Sequence, residues 1–448
     1  MKLFAAAAFL YCCGLSSAAE NLDDGYLSAF CKSAAERSPQ VQAAAAALNQ
    51  ANRHAGNLNL KFLPSATGTL DSTKEKITSI YENGGRAQGP IYSRSAGLTV
   101  IIPVLHPQDI EEQRSGSILV RRATLDLDVA YQQALYAAAS AALKYLTGLS
   151  KQAVLSQKVE LAKRAHEISE RKSVAGSGTG LEADDALASF EEAEAELAGQ
   201  ATQTATQRLE VFTHAQSDAD IDRIMYLREK LPTRESNIAN ILQNAPEQNN
   251  ISIEQDEIDV ELARGDLRYK AAAFLPKVDI TVSRSKSYLS RNVQVPEIFD
   301  TPTTNVGNSV GIQVSMPIFD LTNTYGPERE AAAKLEQTQY QLDAEKIVSR
   351  RELLSIKANL NQQETQLRLL HRQQELLRTM IAAKAREVHA GHATEIEYVA
   401  LEQRLISVNL NEIDAWTNMA MAALEYEQRS GNLTPQCIHE FFSFMKLE

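Results

Sequence analysis

The sequence predicts an α+β membrane protein, built as a duplicated helix–strand–strand–helix repeat. Its short strands close a β-barrel with other copies of the chain, and its long helices continue that barrel as an α-helical barrel. Three observations predict this. Short motifs recur once, in one order, at a nearly constant interval. Proline crowds two windows and is missing from the long stretches that follow them. Inside those windows the hydrophobic pattern changes from a helical period to an alternating one.

The recurrence divides the chain. Phe62-Leu63-Pro64 returns as Phe274-Leu275-Pro276, and Gly97-Leu98-Thr99-Val100-Ile101-Ile102-Pro103 as Gly311-Ile312-Gln313-Val314-Ser315-Met316-Pro317. The stretch Gly178–Asp184 matches Gly391–Glu397, which pairs Asp184 with Glu397. Residues 1–19 read as a secretory signal peptide: Lys2, an apolar run from Leu3 to Leu15, and a small-x-small ending at Ser17-Ala18-Ala19 before Glu20. A lipoprotein signal fits less well, because Tyr11 and Cys12 precede Cys13 where a small residue belongs. The first repeat then occupies 20–235 and the second 236–448.

Within each repeat proline sets the order of elements. Pro64, Pro90, Pro103 and Pro107 crowd the first window, and Pro276, Pro296, Pro302, Pro317 and Pro327 the second. No proline falls between Pro107 and Pro232 or between Pro327 and Pro435. Proline breaks helix interiors but suits first turns and strand ends. The first repeat is therefore expected to have strands at about 66–81 and 91–103, a long helix at about 107–175 and a return helix at about 181–213. The second has strands at about 277–290 and 305–317, a long helix at about 327–390 and a return helix at about 395–429. Each long helix would extend about 100 Å. The second carries a heptad seam of Leu353, Ile356, Leu360, Gln363, Leu367, Leu370, Gln374, Leu377 and Ile381. The first is alanine-rich from Ala137 to Ala142, so neighbours can approach closely.

The strands alternate. Val278, Ile280 and Val282 interleave with Asp279, Thr281 and Ser283; Val310, Ile312 and Val314 with Gly311, Gln313 and Ser315; Tyr92, Ala96, Leu98 and Val100 with Ser93, Ser95, Gly97 and Thr99. The strand from Ala66 to about Ile80 is irregular and rests on the repeat alone. One apolar and one small polar face suits a barrel strand between lipid and water, although a half-buried soluble strand has the same period. No apolar run beyond the signal is long enough for a transmembrane helix. Four strands cannot lie in lipid with open edges, and the smallest membrane barrels need about eight. Three chains would supply twelve strands, enough to enclose water.

Composition narrows the function. A formal net charge of −12 leaves no basic footprint for nucleic acid and no polybasic lipid anchor. No nucleophile elbow or other catalytic spacing is present, so no enzyme and no cofactor is expected. His389 and His392 straddle a turn without a third ligand, so no metal site is expected. The run Gly176-x-Gly178-x-Gly180 lacks the preceding strand and following Lys-Ser/Thr of a phosphate loop, and reads as a helix cap and hairpin turn.

The segment around Ser38-Pro39, the paired Leu-Pro strand entries, the strand–Pro–helix junctions and the paired glycine turns together resemble the TolC-like outer membrane efflux protein family, across nearly the whole mature chain. The resemblance implies a homotrimer with a shared twelve-stranded barrel in outer-membrane lipid and an α-helical tunnel through the periplasm of a Gram-negative bacterium. It implies docking of a periplasmic adaptor (membrane fusion) protein and an inner-membrane RND or ABC transporter. The turns at Gly176, Gly178, Gly180 and Gly391 would form the periplasmic tip where the adaptor docks. Acidic residues near that tip, Glu182, Asp184, Asp185, Glu395 and Glu397, would line the constriction. Glu397 falls at the family's first acidic position, while Ala400 occupies the second. The same acids also suit helix N-termini, whose dipole favours negative charge. The layout would bring Cys31 and Cys437 into one region, where a disulfide and two unpaired thiols are both open. Two other classes compete with the channel: a periplasmic adaptor, which has one hairpin flanked by compact β domains, and a structural coiled coil, which has no use for alternating strands. Small-molecule efflux and type I protein secretion are both open as the channel's task.

Overall fold

The computed structural model describes residues 26–80, 86–215, 218–226, 250–291, 304–318 and 321–444. The signal peptide and the boundary between the repeats lie outside the described residues. The chain divides into two compact units: one formed by residues 43–128 and 251–350, the other by the remainder.

In the first of these units, four strands form one antiparallel sheet in the order β1 (Ser65–Ile80), β2 (Arg86–Leu105), β3 (Lys277–Arg291) and β4 (Thr304–Ser315). β2 belongs to the first half of the sequence and β3 to the second, so this ladder ties the two halves together. β2 begins before the expected 91 because Pro90 is tolerated there. Pro90 pairs with Lys76 of β1, while the ladder with β3 starts only at Ile91, so the missing N–H falls where β2 has one neighbour. Pro103 sits at a bulge, where the register shifts between Pro103 and Leu105 opposite Val278 and Asp279.

The helices of this unit pack beside the sheet's base. α2 (Pro39–Leu60) starts at Pro39, whose ring also separates it from α1 (Tyr26–Arg37). α3 spans Pro107–Val174 and α6 spans Ile251–Ala272. Ile118 and Leu125 of α3 bury against Ile258 of α6. Arg122 Nε donates to Asp259 at 2.8 Å and Arg121 to Glu261 at 3.0 Å, adding charged contacts along the same seam. Glycine permits the closeness: a β-carbon on Gly116 would meet Leu58 at 2.8 Å, and one on Gly265 would meet Ser115 at 2.7 Å.

The second unit is helical. It comprises α1, the rest of α3, α4 (Gly180–His214), α5 (Asp218–Tyr226), the rest of α7 (Gly326–His389), α8 (Glu395–Arg429) and α9 (Pro435–Phe444). α7 follows one turn of π-helix at Leu321–Tyr325. The heptad seam faces inward: Leu360, Leu367, Leu370, Gln374 and Leu377 are buried. Buried Gln374 is satisfied by α8, donating to Asn409 at 2.9 Å and to Glu412. The alanine run of α3 is buried too, with Ala138, Ala139 and Ala142 fully covered. α8 contributes Trp416, Met419, Ala420 and Leu424. α1 buries Leu27, Phe30, Cys31, Ala34 and Ala35, the i, i+3, i+4 spacing of one helical face, and packs against α9.

α5 and α9 were not expected from the sequence. α9 had a readable start: Thr434 accepts from the Cys437 N–H at 3.1 Å, Pro435 holds the first helical position, and Ile438, Phe441 and Phe442 follow at helical spacing.

One polar clasp holds the sheet to α3. His106, between β2 and α3, shares one ring nitrogen with Asp109 at 2.7 Å and the other with Asp279 of β3 at 2.8 Å. Burial disfavours its charge, but both carboxylates outweigh that and hold its pKa above 6.5. A raised histidine pKa contributes stability in full below 6.5, and this is lost as pH rises through the raised value. His106→Gln should therefore lower the thermal stability of the detergent-extracted protein at pH 6 by about 1–2 kcal/mol, less than two fully buried charged bonds because solvent reaches the site. The difference from wild type should shrink at alkaline pH. An equal loss at pH 6 and pH 9 would show that His106 acts through packing.

Candidate channel wall and helix-turn site

The sheet separates two chemistries by its period of two. On one face, β2 and β3 show Ser93, Ser95, Gly97, Thr99, Thr281 and Ser283, only partly exposed although small. Opposite them in the strand period, Leu98, Val282, Val310, Ile312 and Val314 are exposed, Val310 at 77%. Paired residues share a face: Ser95 stands between Asp71 and Ser287, Leu98 between Gly68 and Arg284. One face is thus a wettable lining of hydroxyls and glycines, and the other an uncovered apolar wall.

The two helix turns are built alike. After α3, Gly176 adopts φ 70°, and the Ser177 N–H returns to the Lys172 carbonyl at 3.0 Å. After α7, Gly391 adopts φ 76°, and the His392 N–H returns to the Glu387 carbonyl at 2.8 Å. Both are six-to-one closures with glycine in the left-handed conformation, which favours residues without a β-carbon. Gly178 and Gly180 do not adopt positive φ; Gly180 is the first residue of α4.

This geometry corrects the pairing of the acids. Thr179 and Thr394 are the N-caps of α4 and α8. Matching cap to cap and Gly176 to Gly391 sets Glu182, not Asp184, against Glu397, and Asp184 against buried Val399. The signal was present as Ala175-Gly176-x-small-Thr179 against Ala390-Gly391-x-small-Thr394. Glu182 completes a capping box: its N–H donates to Thr179 Oγ1 at 3.3 Å, and the Thr179 N–H donates to Glu182 Oε2 at 3.4 Å. Asp184, Asp185 and Glu395 are exposed in the opening turns of α4 and α8.

Glu397 differs from them. Lys384 Nζ lies 3.0 Å from its Oε2 and 3.0 Å from Glu387. The Lys384 hydrogen bond, a hydrogen bond from Thr394 and the positive charge of Lys172 hold the Glu397 carboxyl below its ordinary range. Crowding of like acids would push it the other way. Lys384, on α7, was not singled out from the sequence because it lies thirteen residues away across the turn.

Cys31 and Cys437 are brought near by the packing of α1 on α9, but no disulfide joins them. Burial, with Glu427 and Glu440 nearby, pushes the Cys437 thiol up to about 12. His389 and His392 flank the second turn, and among the described residues no three His, Cys, Asp or Glu side chains are grouped to hold a metal.

The family described as "Outer membrane efflux protein" has a sequence model that matches residues 31–213 and 242–431. The chain belongs to this outer membrane efflux protein family. It is accordingly an outer-membrane protein that extends into the periplasm. Over 157 residues it is 27% identical to the alkaline protease secretion protein AprF of Pseudomonas aeruginosa, a stretch covering 34% of this chain and 31% of AprF. The aligned part is thus about a third of that relative's length. The fold matches the outer membrane channel CmeC of Campylobacter jejuni with a TM-score of 0.72 at 14% identity, covering 94% of this chain and 90% of CmeC. It matches the open state of the MtrE outer membrane channel of Neisseria gonorrhoeae with a TM-score of 0.65 at 14% identity, covering 92% of each.

For this efflux-family protein the cysteines offer a direct check. Denaturing, non-reducing alkylation should label both Cys31 and Cys437. Labelling of the folded protein at pH 8 should leave Cys437 largely unmodified, because so little thiolate forms. A tryptic peptide joining the two cysteines would show that the mature protein oxidises them.

Proposed function

We propose that three copies of this chain form a channel through which substrates leave an inner-membrane transporter, cross the periplasm and exit through the outer membrane. The observation that carries this reading is the four-stranded sheet. It has one exposed apolar face, one small polar face, and β1 and β4 as its terminal strands. In hydrocarbon, unpaired strand edges leave peptide groups without partners, so β4 of one copy would pair with β1 of the next until twelve strands close. A stripe on α7 supports the same assembly. Tyr340 and Ile347, one heptad apart, are exposed at 66% and 72%, a seam suited to a helix of a neighbouring copy.

The long helices would then form the periplasmic tunnel, and the turns at Gly176–Gly180 and Gly391 its tip, where a periplasmic adaptor would dock. An RND or ABC transporter would supply the energy. The similarity to AprF favours a secreted protein as cargo, with small-molecule efflux as the alternative. Native mass spectrometry in detergent should show three chains, and the barrel should resist carbonate extraction. A stable monomer that remains inserted in membranes would overturn the architecture.

At the tip, Glu397 would add to the cation preference of the pore, restrained by Lys384. Its depressed pKa keeps the carboxylate charged above 4.5 and for some distance below, so selectivity should persist into mildly acid medium. In planar-bilayer recordings Glu397→Gln should reduce cation preference and divalent-ion block, whereas Lys384→Gln should increase both. Unchanged reversal potentials in both variants would make Glu397 a local helix-turn residue.

A further inference from the structure

The charges of the sheet are sorted by face. Asp71, Glu75 and Asp279 lie in the register of the small polar residues. Lys74, Lys76, Arg94, Arg284 and Lys286 all lie in the register of Leu70, Leu98, Val282 and Val310, the exposed apolar face. Lys277, at the foot of β3, is the one basic residue with a described side chain on the polar face.

The bases are also sorted by height. The part of the apolar face nearest the helices holds Val278, Ile280, Ile312 and Val314 without a charge. The bases begin at Arg284 and continue away from the helices through Lys286 and Arg94 to Lys74 and Lys76. From Val278 to Lys286 the strand covers about 27 Å. At the tilt of membrane-barrel strands this is a rise of about 20 Å, close to the far limit of an apolar band about 25 Å tall; Arg284, two residues earlier, starts about 5 Å lower and reaches toward that limit through its long side chain. Tyr288, paired with Arg94, and Tyr92, paired with Ser290, follow Lys286 at successive steps away from the helices, where aromatic residues suit a membrane interface. Lys74 lies over the Tyr92 ring at 5.4 Å.

Small neighbours leave room around the long side chains. Arg94 is flanked by Ser72, and Lys286 by Ala96. Leu70, Arg94, Ala96, Lys286 and Tyr288 line one cleft, which Asp71, a residue in the register of the polar face, also borders. Arg284 and Lys286 line a second with Leu70, Ala96 and Leu98. Each cleft thus combines an apolar floor with cationic donors at its rim.

Resting on the proposed barrel, we infer that Arg94, Arg284 and Lys286 bind the phosphates of the phosphorylated glycolipid in the outer leaflet, with its acyl chains along Leu98, Val282, Val310 and Ile312. Bases on a face turned to lipid are costly unless they reach the headgroups and find counter-charges there. Guanidinium groups engage phosphate oxygens through paired N–H donors, and lysine adds a point charge. The polar face carries the sheet's carboxylates, so the bases are not neutralised by neighbours in register.

The test uses the full-length protein in non-ionic detergent, titrated with bisphosphorylated lipid A, with the same lipid after phosphatase treatment, and with inorganic phosphate. Native mass spectrometry should show retained lipid A on the wild type, at least about tenfold less of the dephosphorylated lipid, and no protection by inorganic phosphate. The triple variant Arg94→Gln, Arg284→Gln, Lys286→Gln should lose the preference for phosphorylated lipid. Equal retention of the two lipids by wild type would overturn the inference without reference to any variant, so misfolding of the triple variant cannot rescue it. Displacement of lipid A by millimolar inorganic phosphate would overturn it as well, by assigning a free-anion site. Planar-bilayer conductance of the wild type separates the two levels. A conducting channel without lipid selectivity removes this inference alone, whereas a protein that neither inserts nor conducts removes the channel reading beneath it.

Discussion

The lateral edges of the four-stranded sheet constrain everything else in the molecule. Backbone groups along β1 and β4 need partners, and in a bilayer water cannot supply them. The sheet's two faces sharpen this demand, because an exposed wall of Val306, Val310, Ile312 and Val314 suits hydrocarbon and would be a liability in water. The proposed closure with other copies satisfies edges and wall together. It also explains why β2 and β3, from opposite halves of the sequence, meet in the middle of the sheet. A repeat that supplied only two strands would have little of its own to hold it, and joining the halves through one ladder makes a four-stranded unit.

The helical parts answer a different constraint, the ending of very long helices. α3 and α7 run without proline beyond their first turns, and each stops at a glycine with positive φ followed by a threonine N-cap. The acids just past these turns have local work to do before any role in a pore. Glu182 completes a capping box, and Glu397 occupies the matching position beside Lys384. A carboxylate paired in this way titrates lower than one crowded by its own kind. The electrostatics of this helix turn therefore depends on Lys384 and Lys172 as well as on the acids.

Sheet chemistry connects the proposed channel to its membrane. With hydroxyls and glycines on one face, joined by Asp71, Glu75 and Asp279, the proposed lumen is lined by groups that hold water and carry negative charge. With bases confined to the far part of the other face, the barrel would have a defined height in an asymmetric bilayer. The His106 clasp at the opposite end of the strands ties the β2–α3 junction to Asp279 of β3, on the polar face.

Period and punctuation were legible in the sequence. Alternation in residues 277–290, the heptad seam from Leu353 to Ile381 and the proline-free stretches follow from local geometry, so the long helices and the strands lie within a few residues of where they were expected. The N-terminal part of β2 was not legible, because Pro90 reads as a strand stop until its neighbours are known. α9 was signalled by Thr434-Pro435, yet its value lies in packing on α1, a contact between the two ends of the described chain. The candidate site was legible only by residue type. Turn glycines and helix-start acids could be named, but their register could not, since Asp184 and Glu182 are equally good matches to Glu397 until the caps are placed. Sequence by itself determined the elements, because hydrophobic period, proline and glycine act over a few residues. Tertiary structure decided which strands pair, which face carries the bases and which acid meets Lys384, because those depend on residues distant in the chain arriving at the same place.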